Sequence, residues 1–188
     1  MDETSAGICP FAVPKLLPEG VNHLNGQITP RVAVWHIMQG YMEGTYETFL
    51  NPENQVSTHF AISGGLRDVP DGEIWQFVRI TDRAWHNADG NPYSIGVENE
   101  GWSGNPLTDK QIKSGARLFE WLHDEYPAIA MWRNTRPYTG RGLSWHGLGG
   151  QDWGNHPNCP GAPVVAQLDL ILKLGEDSIP PILDAYLF

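Results

Sequence analysis

The stretch Val32-Ala33-Val34-Trp35-His36 decides the reading of this chain: a short β-prone apolar run that ends at a histidine and is followed by Gly40. Such a run predicts a buried strand that delivers an imidazole at its tip. Downstream, Gly44 to Leu50 predicts one or two helical turns closed by Asn51-Pro52. Ser57-Thr58-His59-Phe60-Ala61-Ile62 and Glu73-Ile74-Trp75-Gln76-Phe77-Val78 predict two strands, joined by a Gly/Pro/Asp-rich connection that ends in the hairpin signal Asp71-Gly72. A fourth strand, Tyr93-Ser94-Ile95-Gly96-Val97-Glu98, follows the loop from His86 to Pro92 and carries a carboxylate at its far end.

The clearest helix runs from Thr108 to Tyr126. Thr108 and Gln111 make a capping box, Ile112, Ala116, Phe119 and Leu122 recur at helical spacing, and Pro127 stops it. Between Asn134 and Gly161 the chain is dense in Gly, Asn, Asp and Pro and holds Trp145 and Trp153, which predicts a long irregular loop with a functional role. A second helix starts at Ala162, with Pro163 in its first turn and Val165, Leu168, Ile171 and Leu172 on one face, and ends at Gly175. Strands mixed with two long helices give an α/β or α+β single domain. The expected division is an N-terminal extension over 1–29, a domain over 30–175 and a peripheral tail over 176–188.

A length of 188 residues fits one domain. With 40% hydrophobic and 18% charged residues, 21 Gly and 15 Pro, the chain is globular and turn-rich rather than disordered. A formal charge of -10 opposes binding to nucleic acid and capture by anionic lipid. No apolar run approaches the ~18 residues that span a bilayer, and Met1-Asp2-Glu3 lacks the basic start of a signal peptide, so synthesis in the cytoplasm and no stable membrane association are expected.

Two cysteines, Cys9 and Cys159, lie near opposite ends of the chain and do not make a disulfide scaffold, although a single bridge stays open. Cys159 sits in the turn-rich run Gly154-Asn155-His156-Pro157-Asn158-Cys159-Pro160-Gly161, a setting for a metal ligand. With His36 and His146 it makes three N/S donors, the number a catalytic zinc site uses while keeping its fourth position open. A purely structural zinc site would need a fourth protein ligand, with His156 the nearest candidate. The ordinary alternative for each histidine is a hydrogen-bonded core or surface residue.

The ordered set Val34-Trp35-His36, Ser57-Thr58-His59-Phe60, Ala84-Trp85-His86, Ser94-Ile95-Gly96-Val97-Glu98, Trp145-His146 and Cys159-Pro160-Gly161 resembles the zinc-dependent N-acetylmuramoyl-L-alanine amidases of type 2, which share their fold with peptidoglycan recognition proteins. The resemblance covers roughly residues 30 to 175. It implies a mixed α/β domain with a central mixed sheet flanked by helices, and Zn2+ held by His36, His146 and Cys159. The implied reaction is hydrolysis of the amide between N-acetylmuramic acid and L-alanine in bacterial peptidoglycan. It also implies that Glu98 shuttles the proton from water to the leaving amine; alternation puts Glu100 on the same face, so only the resemblance favours Glu98.

The sequence departs from some family branches. Thr58 stands where they carry a Tyr, which places more weight on Glu98. Pro157 stands where they carry a Lys, which leaves His156 as the candidate donor to the oxyanion. His86 falls in a segment that lines the substrate groove in relatives, and with Thr58 it is a candidate substrate contact. His59 reads as a hydrogen-bonded core residue, and His23 and His123 have no matching context, His123 most simply lying at the surface. Trp85, Trp145 and Trp153 are either sugar-facing platforms or buried anchors. The expected setting is a monomeric phage or prophage endolysin; the rival is a non-catalytic peptidoglycan receptor on the same fold.

Overall fold

The computed structural model describes residues 6–178. In chain order these hold β1 (Val13–Pro14), β2 (His23–Leu24), β3 (Val32–Trp35), α1 (Met42–Leu50), β4 (Phe60–Ile62), β5 (Ile74–Gln76), β6 (Arg83–Ala84), β7 (Ser94–Asn99), α2 (Asp109–Glu125), β8 (Gly142–Trp145) and α3 (Ala162–Ser178). Short 3-10 segments cover Pro52–Asn54, Ala88–Tyr93 and His146–Trp153.

Six strands make one sheet in the order β1-β5-β4-β7-β3-β8, while β2 and β6 pair separately. Neighbours in the large sheet run parallel except β4 and β5, which form the expected antiparallel hairpin with Phe60 opposite Gln76 and Ile62 opposite Ile74. The sheet is therefore mixed, with helices on both faces. Along β3, Ala33 and Trp35 join a core with Ile112, Ala116, Phe119 and Leu122 of α2 and Val164, Leu168 and Ile171 of α3. Val32 and Val34 point the other way, onto Trp153. On that second side Met42 and Phe49 of α1 pack with Ala61, Trp75 and Phe77. A strand covered on both faces has no polar row, which is why Val32–Trp35 reads as an unbroken apolar run.

Helix α2 begins where its capping chemistry dictates: the Thr108 hydroxyl accepts from the Gln111 N–H and the Gln111 side chain accepts from the Thr108 N–H, each at 3.0 Å. Several local expectations are corrected. Gly142–Trp145, expected within an irregular loop, is a sheet strand, because its backbone pairs with β3 over its whole length. The helix expected from Gly44 starts at Met42. The second helix buries Val164 rather than Val165, and it continues past Gly175 to Ser178. The segment ahead of residue 30 adds β1 to the sheet edge and buries Cys9 and Leu17; most of the tail from Glu176 lies outside the described residues.

His59 is fully buried, as the sequence suggested. Its Nδ1 accepts from the Gly96 N–H at 3.0 Å and its Nε2–H donates to the Asp82 carbonyl at 2.9 Å. Burial lowers its pKa from 6.5 to about 4. Between those values the unfolded chain binds the extra proton, so the stability this group contributes is complete above the unfolded pKa and is lost as pH falls. Denaturant unfolding should lose ~2 kcal/mol between about pH 6.5 and 5 from His59 alone. A His59→Gln variant, less stable at neutral pH, should show a flatter profile in that window.

Candidate metal centre

The site is built from one row of the sheet. Trp35 of β3 is in register with Val97 of β7 on one side and Trp145 of β8 on the other. The next residue on each strand is His36, Glu98 and His146. Because the three strands are parallel and in step, these residues emerge side by side at the carboxyl ends of the strands, where open α/β sheets bind their ligands. Trp35 faces α2 and α3, so alternation sends His36 to the opposite side. Cys159 arrives from the loop ahead of α3, tied to the strand end by the Gly147 N–H donating to the Cys159 carbonyl at 2.8 Å. A side chain at Gly147 would meet the Pro157 carbonyl at 2.8 Å, so this approach requires glycine.

His36, His146 and Cys159 come together with donor atoms all within 4.8 Å of one another. Cys159 Sγ lies 3.9 Å from His36 Nδ1. Hydrogen bonds fix the tautomers. The Ser94 hydroxyl donates to the Gly90 carbonyl, so His86 Nε2 must carry the proton that it shares with Ser94 O at 3.3 Å. His86 Nδ1 is then an acceptor, and His36 Nε2–H donates to it at 3.0 Å. That leaves the lone pair of His36 on Nδ1, facing Cys159. His146 Nε2–H donates to the Trp153 carbonyl at 2.7 Å, which leaves its lone pair on Nδ1 in the same way. Burial, with the neighbouring imidazoles adding to it, holds His36 and His86 well below the ordinary histidine range, and burial lowers His146 to about 4. Both candidate ligand rings are thus neutral at neutral pH and oriented by outer hydrogen bonds, the arrangement that supports metal binding.

Glu98 is half-buried, its Oε2 is shut off from solvent with no hydrogen-bond partner, and desolvation pushes its carboxyl up to about 8. Burial, with Glu98 adding to it, pushes the Cys159 thiol up to about 12. An orphaned buried carboxyl oxygen beside two neutral imidazoles and a thiol is a set short of a cation, and the donor types suit zinc. Glu100, on the same face by alternation, has a different environment: its carboxylate accepts from the Met42 N–H, the Ser63 hydroxyl and the Gly64 and Leu66 N–H groups. It anchors the start of α1 and the 63–66 loop, and no free oxygen points at the centre.

His36, Glu98, His146 and Cys159 line a cavity of about 700 Å³ together with Thr58, Trp85, His86 and His156. Among the described residues six non-glycine positions have positive φ, and four of them, Gln39, Gln55, Ala88 and Asn155, line this cavity. Backbone strain gathers at functional sites, which marks this cavity rather than another hollow. Thr58 is buried there, with its hydroxyl donating to the Phe60 carbonyl at 3.0 Å. His156 is exposed and stacks on His146 at 4.6 Å between ring centroids, yet it is not in the three-donor group. Trp153 is fully buried, Trp145 is half-buried against the core with Arg133 over its ring, and Trp85 reaches the cavity wall. His123 is half-buried, donating to the Ile129 carbonyl.

Sequence reasoning missed His86 as the residue that orients His36. The available signal was Gly96: a side chain there would meet the His86 ring at 2.7 Å, so a strand-interior glycine marks the close approach of another group. It also missed Asn99, whose side-chain amide donates to the His36 carbonyl at 3.0 Å.

Fold and site together define an α/β protein with a metal-capable N/N/S centre and a partnerless carboxyl at the ends of parallel strands. A family model described as N-acetylmuramoyl-L-alanine amidase matches residues 26–162, and the chain belongs to that family. Among curated relatives it is 40% identical to N-acetylmuramoyl-L-alanine amidase A of Achromobacter lyticus over 68 residues, 36% of each chain. It is 34% identical to 1,6-anhydro-N-acetylmuramyl-L-alanine amidase AmpD of Enterobacter cloacae over 95 residues, 46% of this chain and 51% of that one. The chain thus spans between about a third and about half the length of these relatives. The solved endolysine N-acetylmuramoyl-L-alanine amidase LysCS from Clostridium intestinale URNW superposes with a TM-score of 0.63 at 18% identity, covering 88% of this chain and 98% of that one, which demonstrates a shared fold.

In the metal-free protein at neutral pH the imidazoles are already neutral while the thiol is protonated, so loading a divalent metal must displace the Cys159 proton. Calorimetric titration with zinc in buffers of different ionisation heat should register at least one proton released per metal, and an affinity that rises with pH. Cys159→Ser should release one proton fewer. Affinity independent of pH would remove Cys159 from the ligand set.

Proposed function

We propose that this chain is a zinc-dependent N-acetylmuramoyl-L-alanine amidase, hydrolysing the amide between N-acetylmuramic acid and L-alanine in bacterial peptidoglycan. The observation that carries this reading is the meeting of His36, His146 and Cys159 with the partnerless Glu98 in one cavity. Membership of the amidase family supports it. The catalytic unit is residues 30–175, with residues 6–29 packed on its edge.

His36, His146 and Cys159 would hold the zinc, as two neutral nitrogens and one thiolate. Bound zinc supplies Lewis acidity toward a carbonyl and lowers the pKa of water to about 7. The remaining work falls to the protein. Glu98, whose buried carboxyl changes protonation close to neutrality, takes a proton from the attacking water and returns it to the departing L-alanine nitrogen, first as base and then as acid. With a cation held by the three donors, the Glu98 carboxyl would ionise more readily, which would favour its base form before attack. His156, stacked on His146 at the open side, donates to the oxyanion that develops on the scissile carbonyl. His86 and the Trp153 carbonyl keep the two ligand rings in the tautomer that binds metal. Thr58 supplies wall and shape rather than a phenol.

Among the described residues no helix is long and apolar enough to cross a membrane. The setting we infer is lysis by a phage or prophage, supported by the fold shared with the endolysine LysCS. Comparison of rates on intact cell wall and on soluble 1,6-anhydro-muropeptides would separate that setting from one suited to soluble fragments.

Purified peptidoglycan incubated with the zinc-loaded protein should release N-terminal L-alanine, and a chelator should abolish the release. Glu98→Gln should lower the rate by ~10²–10⁴ with zinc content retained. Its unfolding midpoint should stay close to wild type, since Glu98 Oε2 gives up no hydrogen bond. Wall binding without release on any chemotype would transfer the reading to a receptor.

A further inference from the structure

Beyond the cavity mouth lies an aromatic pair on tethered backbone. Gly40 and Gly101 form an isolated antiparallel bridge, with N–H···O distances of 3.0 and 3.1 Å in the two directions. The residues that follow, Tyr41 and Trp102, meet edge to face with ring centroids 5.3 Å apart and planes at 90°. The Arg67 guanidinium lies 3.7 Å over the Tyr41 ring. Ser103 is pinned next to them: its N–H donates to Gln39 Oε1 at 3.2 Å and its hydroxyl donates to the Asn158 carbonyl at 2.7 Å. Gln39 and Asn158 both line the cavity, and Asn158 directly precedes Cys159. The aromatic pair is therefore continuous with the rim on the Cys159 side.

Trp102 nevertheless remains 38% exposed. The backbone on both sides of Trp102 is tied down, at Gly101 by the bridge and at Ser103 by two hydrogen bonds, and its ring rests edge-on against Tyr41, so a ligand that stacks on it meets a reduced ordering cost. Flat apolar surface beside amide, hydroxyl and guanidinium groups suits a pyranose ring, which offers a C–H face for stacking and a hydroxyl rim for hydrogen bonds. Trp132 is more exposed, at 59%, but it lies where β8 begins, at the opposite end of the strands from His36, and lines none of the cavity. The cavity's other end continues into a hollow where Trp85 is flanked by Gln55, Arg83, Asp89 and Asn91.

We propose that Trp102, braced by Tyr41, is a stacking platform for an N-acetylhexosamine ring, the sugar adjoining the muramic acid of a glycan strand. The identity of the strand rests on the amidase reading above; the platform itself does not. It gives the enzyme a reason to prefer polymeric or disaccharide substrates over a single muramoyl-peptide, with the glycan leaving the cleft past Cys159.

Two measurements test this. Zinc-loaded protein titrated with chitotetraose, a glycan without the scissile amide, should bind saturably, with Trp102→Ala weakening binding about tenfold and Trp102→Tyr restoring most of it. In kinetics, Trp102→Ala should raise KM about tenfold on a disaccharide-peptide, leave kcat unchanged, and match wild type on a muramoyl-peptide lacking the second sugar. No chitotetraose binding by wild type, unchanged binding in Trp102→Ala, or an equal loss on both peptide substrates would overturn the proposal. Failure of wild type to cleave either substrate would instead defeat the amidase reading, and the chitotetraose titration would still decide the platform.

Discussion

The parallel register of β7, β3 and β8 is the constraint on which the centre depends. Parallel strands in step place equivalent residues at one height, so a single row, one residue beyond Val97, Trp35 and Trp145, supplies Glu98, His36 and His146. A slip of one residue on any of the three would turn its side chain toward α2 and α3 and exchange a polar group with a core residue. The apolar row beneath, anchored by the fully buried Trp35 against Phe119 at 6.2 Å between ring centroids, therefore protects the site by making that slip costly. Packing on one face and chemistry on the other are consequences of one alternation.

Low dielectric surroundings then set the protonation pattern. Burial holds His36, His86 and His146 neutral, keeps Cys159 a thiol and leaves Glu98 protonated into the neutral range. Without a cation this is a set of groups kept from charging. With one, the thiolate and carboxylate become favourable, and the imidazoles already offer lone pairs because His86 and Trp153 hold their outer protons. The outer hydrogen bonds thus decide which nitrogen faces the centre before any metal arrives.

Much of this was legible in the sequence where local chemistry decides. The capping box of Thr108 and Gln111 fixes its own helix start, and Val32–His36 reads as a buried strand because both its faces are covered. β8 was not legible: four residues opening on Gly142, at φ +97, carry no alternation, and their strand geometry comes from pairing with β3. The strand predicted from Ser57 is confined to Phe60–Ile62, since the Ser57 and His59 N–H groups bond to Trp85 and Gly96 outside the regular ladder. At the site, the grouping of His36, His146 and Cys159 was suggested by donor types and loop setting and strengthened by a family resemblance, whereas the roles of His86, Asn99 and Trp102 arise from tertiary contacts between segments far apart in the chain. Alternation left Glu98 and Glu100 equivalent; only the four donors around Glu100 and the lack of any hydrogen-bond partner at Glu98 Oε2 tell them apart.

The claim at the centre is that His36, His146 and Cys159 form an open three-ligand zinc site. X-ray absorption at the zinc edge on stoichiometrically loaded protein measures it directly. The structure predicts two nitrogen donors at about 2.0–2.1 Å, one sulfur at about 2.3 Å and one light solvent atom completing the shell. A shell without sulfur, or one closed by a third imidazole such as His156, would contradict it.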